Sequence, residues 1–535
     1  MGMQQMPTIN TLSDGGKTWE YSFDTFAVKV YVPVGNPLSD IVNFGFMAPY
    51  LLIFDDEYRS MEDAVAYAIA SGYHEIAARY STSVVFVTPT AAGGWDAAPE
   101  TLFADLIAES RINQYHHDGI VTPKNRFTGE WGEPVIRGAI FRTIVYGRGK
   151  AADYLAKHCL KKLEGQYLWG PGDITPAALI LENLSVLPRV ERRDLPILSV
   201  HNSEAVNDAL RAGSDYVEVR DTLDFPADFD RFLYRRKRWV GVLAEEPVME
   251  SLDMVEEPSV ATVHTSPDNL GDDRGTETHR IGYVAYYRKD LFANGPVPLL
   301  LAFHGGGDSS FYIAHVSGWY RIARRHGFLL VAIENHLNST ATEMMELIEI
   351  LKTRYPIDPT RIYGSGFSMG GCKSWDLYQE YPAAFAALAP MDATFEVGCN
   401  SYGKPAPAPI NEDTPVPLFY AGGEVTPLPE LPFQAERCWD RMRYVFRVNQ
   451  LKTPYTVTFE DRENWPDPIW GISGDRVEDI VDPQRGNTLR IHYFESQDGV
   501  TRTAFACVGG QAHECREHTC EQAWQFMSQF RRSTQ

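Results

Sequence analysis

Short, continuous apolar runs alternate with helical patterns along the whole chain. In the second half these runs are VPLLLAF, FLLVAIE, RIYGSGF and VPLFYAG. Runs without alternating polar positions are typical of strands that are buried on both faces. Because helical patterns separate the runs, the sequence predicts an α/β protein with mostly parallel sheets and helices on both faces.

The same order of strands and helices occurs twice. Residues 72–89 align without a gap to residues 318–335, each as an amphipathic helix that leads into an apolar strand. The matching segments agree in type, order and spacing. This agreement favours duplication over the alternation of strands and helices that any two α/β domains share. One insertion is expected in the first copy, between residues 90 and 140. The other matching pairs are 49–54 with 298–303, 142–158 with 361–381, and 195–206 with 416–426.

An acidic segment rich in Pro, Asp and Glu separates the two copies, at residues 242–275. This composition predicts a linker or a loosely packed crossing, with a domain boundary between about residues 245 and 265. The prediction is two domains, residues 1–250 and 251–535.

Composition narrows the class of protein. Acidic side chains outnumber basic ones by 71 to 49, for a formal charge of −22, and such a surface repels nucleic acid and anionic lipid. The chain has no apolar run of about 18 residues and no signal-peptide pattern, so no membrane span is expected. The seven scattered cysteines fit a reducing compartment. We expect a cytoplasmic protein, unless an upstream leader has been removed.

Residues 366–370 spell Gly-Phe-Ser-Met-Gly between a strand pattern and a helical pattern. A serine on such a sharp turn needs glycines two positions before and after it, because larger side chains would clash there. The amides and dipole of the helix N-terminus then point at negative charge that forms on a substrate. This context predicts Ser368 as a nucleophile rather than an incidental serine in a glycine-rich turn.

A glycine loop follows the predicted strand PLLLAF, at His304, Gly305, Gly306 and Gly307. Glycines let a loop bring backbone amides close to a bound carbonyl group. Gly305 and Gly306 are therefore predicted to form an oxyanion hole together with the amide of Met369.

A serine nucleophile needs an adjacent base, and in hydrolases of this kind the histidine follows the serine and the acid in the chain. His492 lies in an alternating strand pattern that is typical of a packed histidine. His513 comes between the last apolar strand and the final helix, so it is the predicted base, with His518 as the alternative.

Three carboxylates are candidates for the acid that orients the histidine. Glu424 is the first carboxylate after the strand VPLFYAGG and is the predicted acid. Asp392, at the end of LAPM, and Asp461, after the apolar segment YTVTFE, are the alternatives.

These motifs resemble those of α/β-hydrolase esterases related to polyhydroxybutyrate depolymerases and feruloyl esterases. The resemblance covers about residues 270–535 and is strongest in IDPTRIYGSGFSMGGCKSWDLYQEYPAAFAALAPM. It implies tandem α/β-hydrolase folds, with Ser368 as nucleophile and His513 as general base. Glu424 stands where these esterases carry an aspartate, and residues 440–500 match no element of theirs.

The first copy lacks the serine motif and the glycine loop. Gly149, in Gly-Arg-Gly-Lys-Ala, stands in the place of Ser368, and residues 55–58 read Asp-Asp-Glu-Tyr where the second copy has its glycine loop. The segment Gly-Arg-Gly-Lys-Ala also does not match the phosphate-loop pattern G-x-x-x-x-G-K-S/T, because it lacks the first glycine and the final hydroxyl residue. We expect a non-catalytic domain that supports or covers the active one. This domain is expected to have lost the elbow, which is the strained strand-to-helix turn that carries the nucleophile.

A metal site is the weaker interpretation of the last cysteines and histidines. His513 and His518 are five residues apart, which on a helix places them about 140° apart rather than on one face. Cys515, His518 and Cys520 stay an alternative metal set in an irregular loop. No metal and no cofactor is predicted.

The predicted function is hydrolysis of small-molecule or oligomeric carboxylic esters through an acyl-enzyme on Ser368. A serine peptidase or amidase on the same fold is one alternative. A non-catalytic binding protein of two hydrolase-like domains is the other. Substrate identity and a homo-oligomeric state stay open.

If the first copy supports the second, residues 250–535 expressed alone should aggregate or lose more than about tenfold of the esterase activity, because apolar surface becomes exposed. Light scattering and hydrolysis of p-nitrophenyl acetate measure the two effects. A soluble and fully active fragment would show that the second copy folds and acts without the first.

Overall fold

A computed structural model shows two compact units, Met1–Val248 and Met249–Gln535. Among the residues that it describes, no helix is long and apolar enough to cross a bilayer. The described residues are 8–35, 48–57, 59–112, 138, 142–167, 170–239, 242–245, 247–271, 273–306, 308–407 and 409–532.

The described strands of the N-terminal unit are β1 (Asn10–Thr11), β2 (Lys17–Ser22), β3 (Phe26–Val32), β4 (Tyr50–Phe54), β5 (Val84–Pro89), β6 (Thr143–Arg148), β7 (Glu164–Tyr167), β8 (Gly170–Asp173), β9 (Ala178–Glu182), β10 (Ile197–Val200), β11 (Val217–Arg220), β12 (Arg236–Trp239) and β13 (Val242–Glu245). Nine of them form one sheet in the order β1-β2-β3-β5-β4-β6-β9-β10-β11. In this sheet order, each pair of neighbouring strands from β5 to β11 is parallel.

Helices connect these strands, and the central strands are buried as their apolar sequences predict. All five residues of β4 are buried, and Leu51, Ile53, Ile144 and Ile180 share one core with residues of the helices. The described helices are α1 (Met61–Ala70), α2 (Tyr73–Arg79), α3 (Leu102–Ile112), α4 (Lys150–His158), α5 (Glu204–Gly213) and α6 (Phe225–Asp228), with short turns at Gly94–Ala97 and Phe229–Leu233.

The described strands of the C-terminal unit are β14 (Met254–His264), β15 (Thr278–Arg288), β16 (Val297–Phe303), β17 (Leu329–Ile333), β18 (Ile357–Phe367), β19 (Ala387–Met391), β20 (Leu418–Gly423), β21 (Arg476–Val481), β22 (Thr488–Phe494) and β23 (Thr503–Val508). They form one sheet in the order β14-β15-β17-β16-β18-β19-β20-β23-β22-β21. Neighbours from β17 to β23 are parallel.

Helices of the C-terminal unit also follow its strands. The elbow helix α9 packs against β18 and β19, so the residues at its start lie at the carboxyl ends of these strands. The described helices are α7 (Trp319–His326), α8 (Ala341–Arg354), α9 (Met369–Glu380), α10 (Glu436–Val448) and α11 (Glu517–Met527), with short turns at Met249–Leu252, Leu291–Asn294, Tyr312–Val316, His336–Asn338 and Phe459–Asn464.

The two units repeat one strand order. In the N-terminal unit it is β2-β3-β5-β4-β6-β9-β10-β11, and in the C-terminal unit it is β14-β15-β17-β16-β18-β19-β20-β23. In both, the second strand of this order is antiparallel to its neighbours and the rest are parallel. This is the arrangement of an α/β-hydrolase sheet, and the predicted tandem of such folds is confirmed.

The acidic segment between the copies is not a linker, contrary to the sequence prediction. Met254–His264 forms β14, which pairs with β15 over eleven residue pairs and begins the second sheet. The acidic side chains mislead because β14 is an edge strand, where charged residues on the exposed positions are tolerated. Residues 113–137 of the predicted insertion lie outside the described residues.

The N-terminal unit keeps the backbone of the elbow, contrary to the expectation that it is lost. Gly149 has φ 56° and ψ −120°, and Ser368 has φ 52° and ψ −118°. A Cβ atom at Gly149 would lie 1.9 Å from Oδ2 of Asp56, whose other oxygen accepts a hydrogen bond from the amide of Ala151 at 2.9 Å. The first copy therefore keeps the turn, removes its strain with glycine, and fills the nucleophile position with a carboxylate.

This packing predicts the cost of a side chain at the first elbow. Gly149→Ala should destabilise the unit by about 2–4 kcal/mol, because the methyl group strains the turn and displaces Asp56 from its amide. Gly94→Ala is the matched control, since Gly94 also has a positive φ of 58° and a Cβ atom there meets open space. We expect it to cost about 1 kcal/mol, measured by urea unfolding of the intact chain. Equal losses for the two variants would contradict the account.

Candidate active site

Ser368 lies on a strained turn between β18 and α9. It is partly exposed and adopts φ 52°, a conformation that serine rarely occupies. Its amide donates to the carbonyl of Met391 at 2.9 Å, and its carbonyl accepts from the amide of Cys372 at 3.0 Å. These bonds hold the strained residue at the carboxyl edge of the sheet, where it is partly exposed.

Glycines make this turn possible because the backbone segments touch. A Cβ atom at Gly366 would lie 2.1 Å from the carbonyl oxygen of Gly370. A Cβ atom at Gly370 would lie 2.2 Å from the carbonyl oxygen of Phe303, at the end of β16. The two glycines of the motif therefore bring α9 against the neighbouring strand that carries the glycine loop.

The glycine loop lies beside the first residue of α9. A Cβ atom at Gly306 would lie 3.2 Å from Cγ of Met369, so the predicted oxyanion residues are neighbours in space. His304 anchors the loop from below, because its two ring nitrogens lie 2.7 and 2.6 Å from the carbonyl oxygens of Gly305 and Glu334. Burial lowers the pKa of this histidine. Gly307 lies outside the described residues.

His513 lies between β23 and α11, next to the elbow. Its ring is 4.7 Å, centroid to centroid, from the ring of Phe367, the residue before Ser368. Its Nδ1 is 3.5 Å from the hydroxyl of Thr426. Burial lowers the pKa of the imidazole below its ordinary value of 6.5. The structure therefore places the His513 ring against the residue that precedes Ser368, and the lowered pKa leaves the imidazole neutral at physiological pH.

Glu424 lies beside the turn that precedes His513, but its carboxylate accepts a hydrogen bond from the backbone. Oε2 accepts from the amide of Gly510 at 2.8 Å, and the amide of Glu424 donates to the carbonyl of Val508 at 3.0 Å. The group next to Nδ1 of His513 is the hydroxyl of Thr426, which follows two residues later. A catalytic role for Glu424 stays a prediction, and sequence reasoning missed Thr426 because a hydroxyl is not a candidate acid.

Asp392 is the buried carboxylate at this edge of the sheet. It directly follows β19, has φ 44° and is 2% exposed. Its Oδ1 accepts from the amide of Gly423 at 2.8 Å, and a hydrogen bond from the backbone of Glu514 also reaches the carboxylate. Burial raises the pKa of Asp392 well above its usual range. Asp392 thus joins the end of β20 to the residue after His513.

A second, partly buried carboxylate, missed from the sequence, is Asp308. Its Oδ2 would lie 2.7 Å from a Cβ atom at Gly305, so it adjoins the oxyanion loop, and burial raises its pKa to about 7. Its position directly after the three glycines was the available signal.

The remaining candidates lie in other environments. Asp461 is exposed in the short turn Phe459–Asn464 and accepts from Asn464 at 2.6 Å. Residues 455–458 pair with none of the described strands, and the turn begins at Phe459. His492 is buried in β22, 3.6 Å from a carboxylate oxygen of Asp467.

The cysteines near His513 form a buried sulfur cluster. Sγ of Cys515 lies 3.5 Å from Sγ of Cys520 and 3.5 Å from Sδ of Met391. His518 is the second residue of α11. Within the described part of the chain, no group of three or more His, Cys, Asp or Glu residues is arranged to hold a metal ion.

Comparison with known proteins gives partial matches, and no family model matches the chain. A segment is 28% identical over 135 residues to a bifunctional acetylxylan esterase/xylanase of Neocallimastix patriciarum, covering 24% of this chain and 19% of that enzyme. An acetyl xylan esterase from Aspergillus awamori is 10% identical with a TM-score of 0.34, over 50% of this chain and 99% of that one. An S-formylglutathione hydrolase from Agrobacterium tumefaciens is 9% identical with a TM-score of 0.33, over 51% and 95%.

The relative found by sequence is an esterase, in agreement with the resemblance that the sequence motifs indicated. The fold itself follows from the strand order and the elbow described above. The chain is an α/β-hydrolase-like protein, similar to ester-hydrolysing serine hydrolases in general.

The lowered pKa of His513 predicts the acid limb of the pH profile. The imidazole accepts the serine proton only when neutral, so kcat/KM should fall as the pH drops through the pKa of His513. Since burial lowers that pKa, we expect a midpoint below pH 6.5 for hydrolysis of a non-ionising ester. A midpoint at pH 7 or above would contradict the burial of the ring.

The two carboxylates are separable by mutation. Glu424→Gln should change kcat/KM by less than about threefold, because a glutamine oxygen still accepts from the amide of Gly510. Asp392→Asn should lower it by about tenfold or more, because the new NH2 group opposes an amide donor and displaces the histidine turn. Circular dichroism checks that both variants fold. The reverse order would identify Glu424 as the triad acid.

Proposed function

We propose that the C-terminal unit hydrolyses carboxylic esters, with Ser368 as nucleophile and His513 as general base. The observation that carries the proposal is the strained serine at φ 52° on the strand-to-helix turn, with a partly buried histidine against the preceding residue. Strain of this kind persists where it serves a function. The similarity to esterases supports the reaction class.

The chemistry follows from these positions. His513 removes the proton of the Ser368 hydroxyl as its oxygen attacks the ester carbonyl carbon. The amides of Met369, Gly305 and Gly306 are the proposed donors to the oxyanion, and the first of them gains from the dipole of α9. The imidazolium then gives its proton to the departing alcohol, which leaves an acyl group on Ser368.

Deacylation repeats these steps with water. His513 accepts a proton from a water molecule that attacks the acyl carbon, and returns it to Ser368 as the carboxylic acid leaves. The site resets without any redox change or cofactor. The proposed substrate is a small-molecule or oligomeric ester.

The N-terminal unit is proposed to be non-catalytic. Its turn lacks a nucleophile at Gly149, and the carboxylate of Asp56 stands where the nucleophile and its oxyanion would be. A negative charge there opposes the charge that develops in acyl transfer.

The test is turnover of p-nitrophenyl esters from acetate to decanoate by the intact chain. We expect Ser368→Ala to lower kcat by about 10³-fold or more, as loss of a nucleophile does. Ser374→Ala is the matched control on the same helix, because its hydroxyl donates to the carbonyl of Gly370 inside the fold. Unchanged turnover in Ser368→Ala would overturn the proposal.

Two further measurements test the alternative functions, an amidase and a binding protein. Faster cleavage of p-nitroanilides than of matched esters would identify an amidase. No turnover of any ester by the intact chain would favour a binding protein.

A further inference from the structure

The N-terminal unit contains a cavity of about 550 Å³ beside helix α4. This volume falls in the range of small-molecule sites, about 300–1,000 Å³. The helix contributes Lys150, Asp153, Tyr154, Lys157 and His158, which recur every three or four residues and so share one face.

The topology places the cavity where α/β sheets bind ligands. Its walls are the turn Gly94–Ala97 after β5, the helix α4 after β6, and residues 185–191 after β9. All three therefore follow the carboxyl ends of parallel strands. Ligands of open α/β sheets bind outside these ends.

The lining is positive in a chain that is strongly negative. Four cationic side chains face three carboxylates there, whereas the whole chain carries a formal charge of −22. Lys150 pairs with Asp96 at 3.3 Å and Arg189 with Glu191 at 3.4 Å.

Two lining groups differ in what they leave for a ligand. Asp153 accepts from both the amide and the hydroxyl of Ser185, so its charge is already hydrogen-bonded. Lys157 has no ion pair with any residue that the structure describes. Among the described residues, Lys157 is thus a lining cation without a carboxylate at ion-pair distance, in the middle of the helix face.

Apolar groups lie next to this cation. Trp95 and Tyr154 pack with ring centroids 5.3 Å apart and are almost fully buried, so they form the floor. Leu187 is 70% exposed and Val186 is 41% exposed, both on the wall. Exposed apolar side chains beside a cavity mark a binding surface, because a ligand can remove them from water.

We propose that this cavity binds an arenecarboxylate, with the carboxylate on Lys157 and the ring against Leu187 and Tyr154. A ligand carboxylate supplies an ion-pair partner for Lys157, and an aromatic ring covers the exposed leucine. Binding is without chemistry, since Asp56 fills the adjacent elbow. The inference does not depend on the esterase proposal, because it concerns the other unit.

The first experiment is calorimetric titration of the intact Ser368→Ala chain with 2-naphthoate. We expect a single site, and binding at least about fivefold weaker for the neutral isostere 2-naphthamide, which lacks the charge. Acetate, which lacks the ring, should bind too weakly to measure. Equal affinity for the naphthoate and the amide, or no binding of 2-naphthoate up to 10 mM (roughly the weak limit of such a site), would overturn the proposal.

The second experiment locates the site. Lys157→Gln and Leu187→Ser should each weaken 2-naphthoate binding by about five- to tenfold. Lys162→Gln and Val481→Ser are the matched controls. Lys162 is an exposed lysine that pairs with Glu164, and Val481 is a valine 58% exposed in the other unit.

Both controls should bind 2-naphthoate as the parent chain does, and neither residue lines the cavity. Losses in the controls equal to those in Lys157→Gln and Leu187→Ser would contradict the assignment. Ester hydrolysis by the Lys157→Gln variant made with Ser368 intact should be unchanged, which separates this inference from the proposed function.

Discussion

One backbone turn governs both units, the turn at which the central strand ends and the next helix begins. Its positive φ and near −120° ψ recur at Gly149 and Ser368. In the C-terminal unit the turn is held by contacts between backbone atoms, so that even a methyl group at Gly366 or Gly370 would overlap a carbonyl. Because interiors are close-packed, this contact places the helix N-terminus and the glycine loop at one edge of the sheet.

The two units use the same turn in opposite ways. In the C-terminal unit a serine bears the strain, and a partly buried histidine packs against the residue before it. In the N-terminal unit a glycine relieves the strain, and an aspartate occupies the space while it binds an amide of the helix. The filled turn leaves no space for a nucleophile in the N-terminal unit.

Much of this could be predicted from the sequence because it depends on local pattern. The apolar runs identified β16 and β18, and the spacing of Gly366 and Gly370 around Ser368 identified the turn. His513 followed from its place between the last strand and the final helix. Each of these inferences uses residues that are close in the chain or periodic along it.

The rest depends on contacts between distant loops. Strand order alone pointed to Glu424, whereas in the fold Thr426 is next to the histidine and Asp392 bonds to Gly423. The filling of the first elbow by Asp56 could not be inferred either, because it requires the position of one side chain in another loop.

The central claim is that Ser368 is a nucleophile, and intact-mass spectrometry after exposure to a fluorophosphonate tests it most directly. The account predicts one phosphonyl group per chain, located by peptide mapping on Ser368 and absent from the His513→Ala chain. Labelling on a different residue, or none on the folded chain, would contradict it.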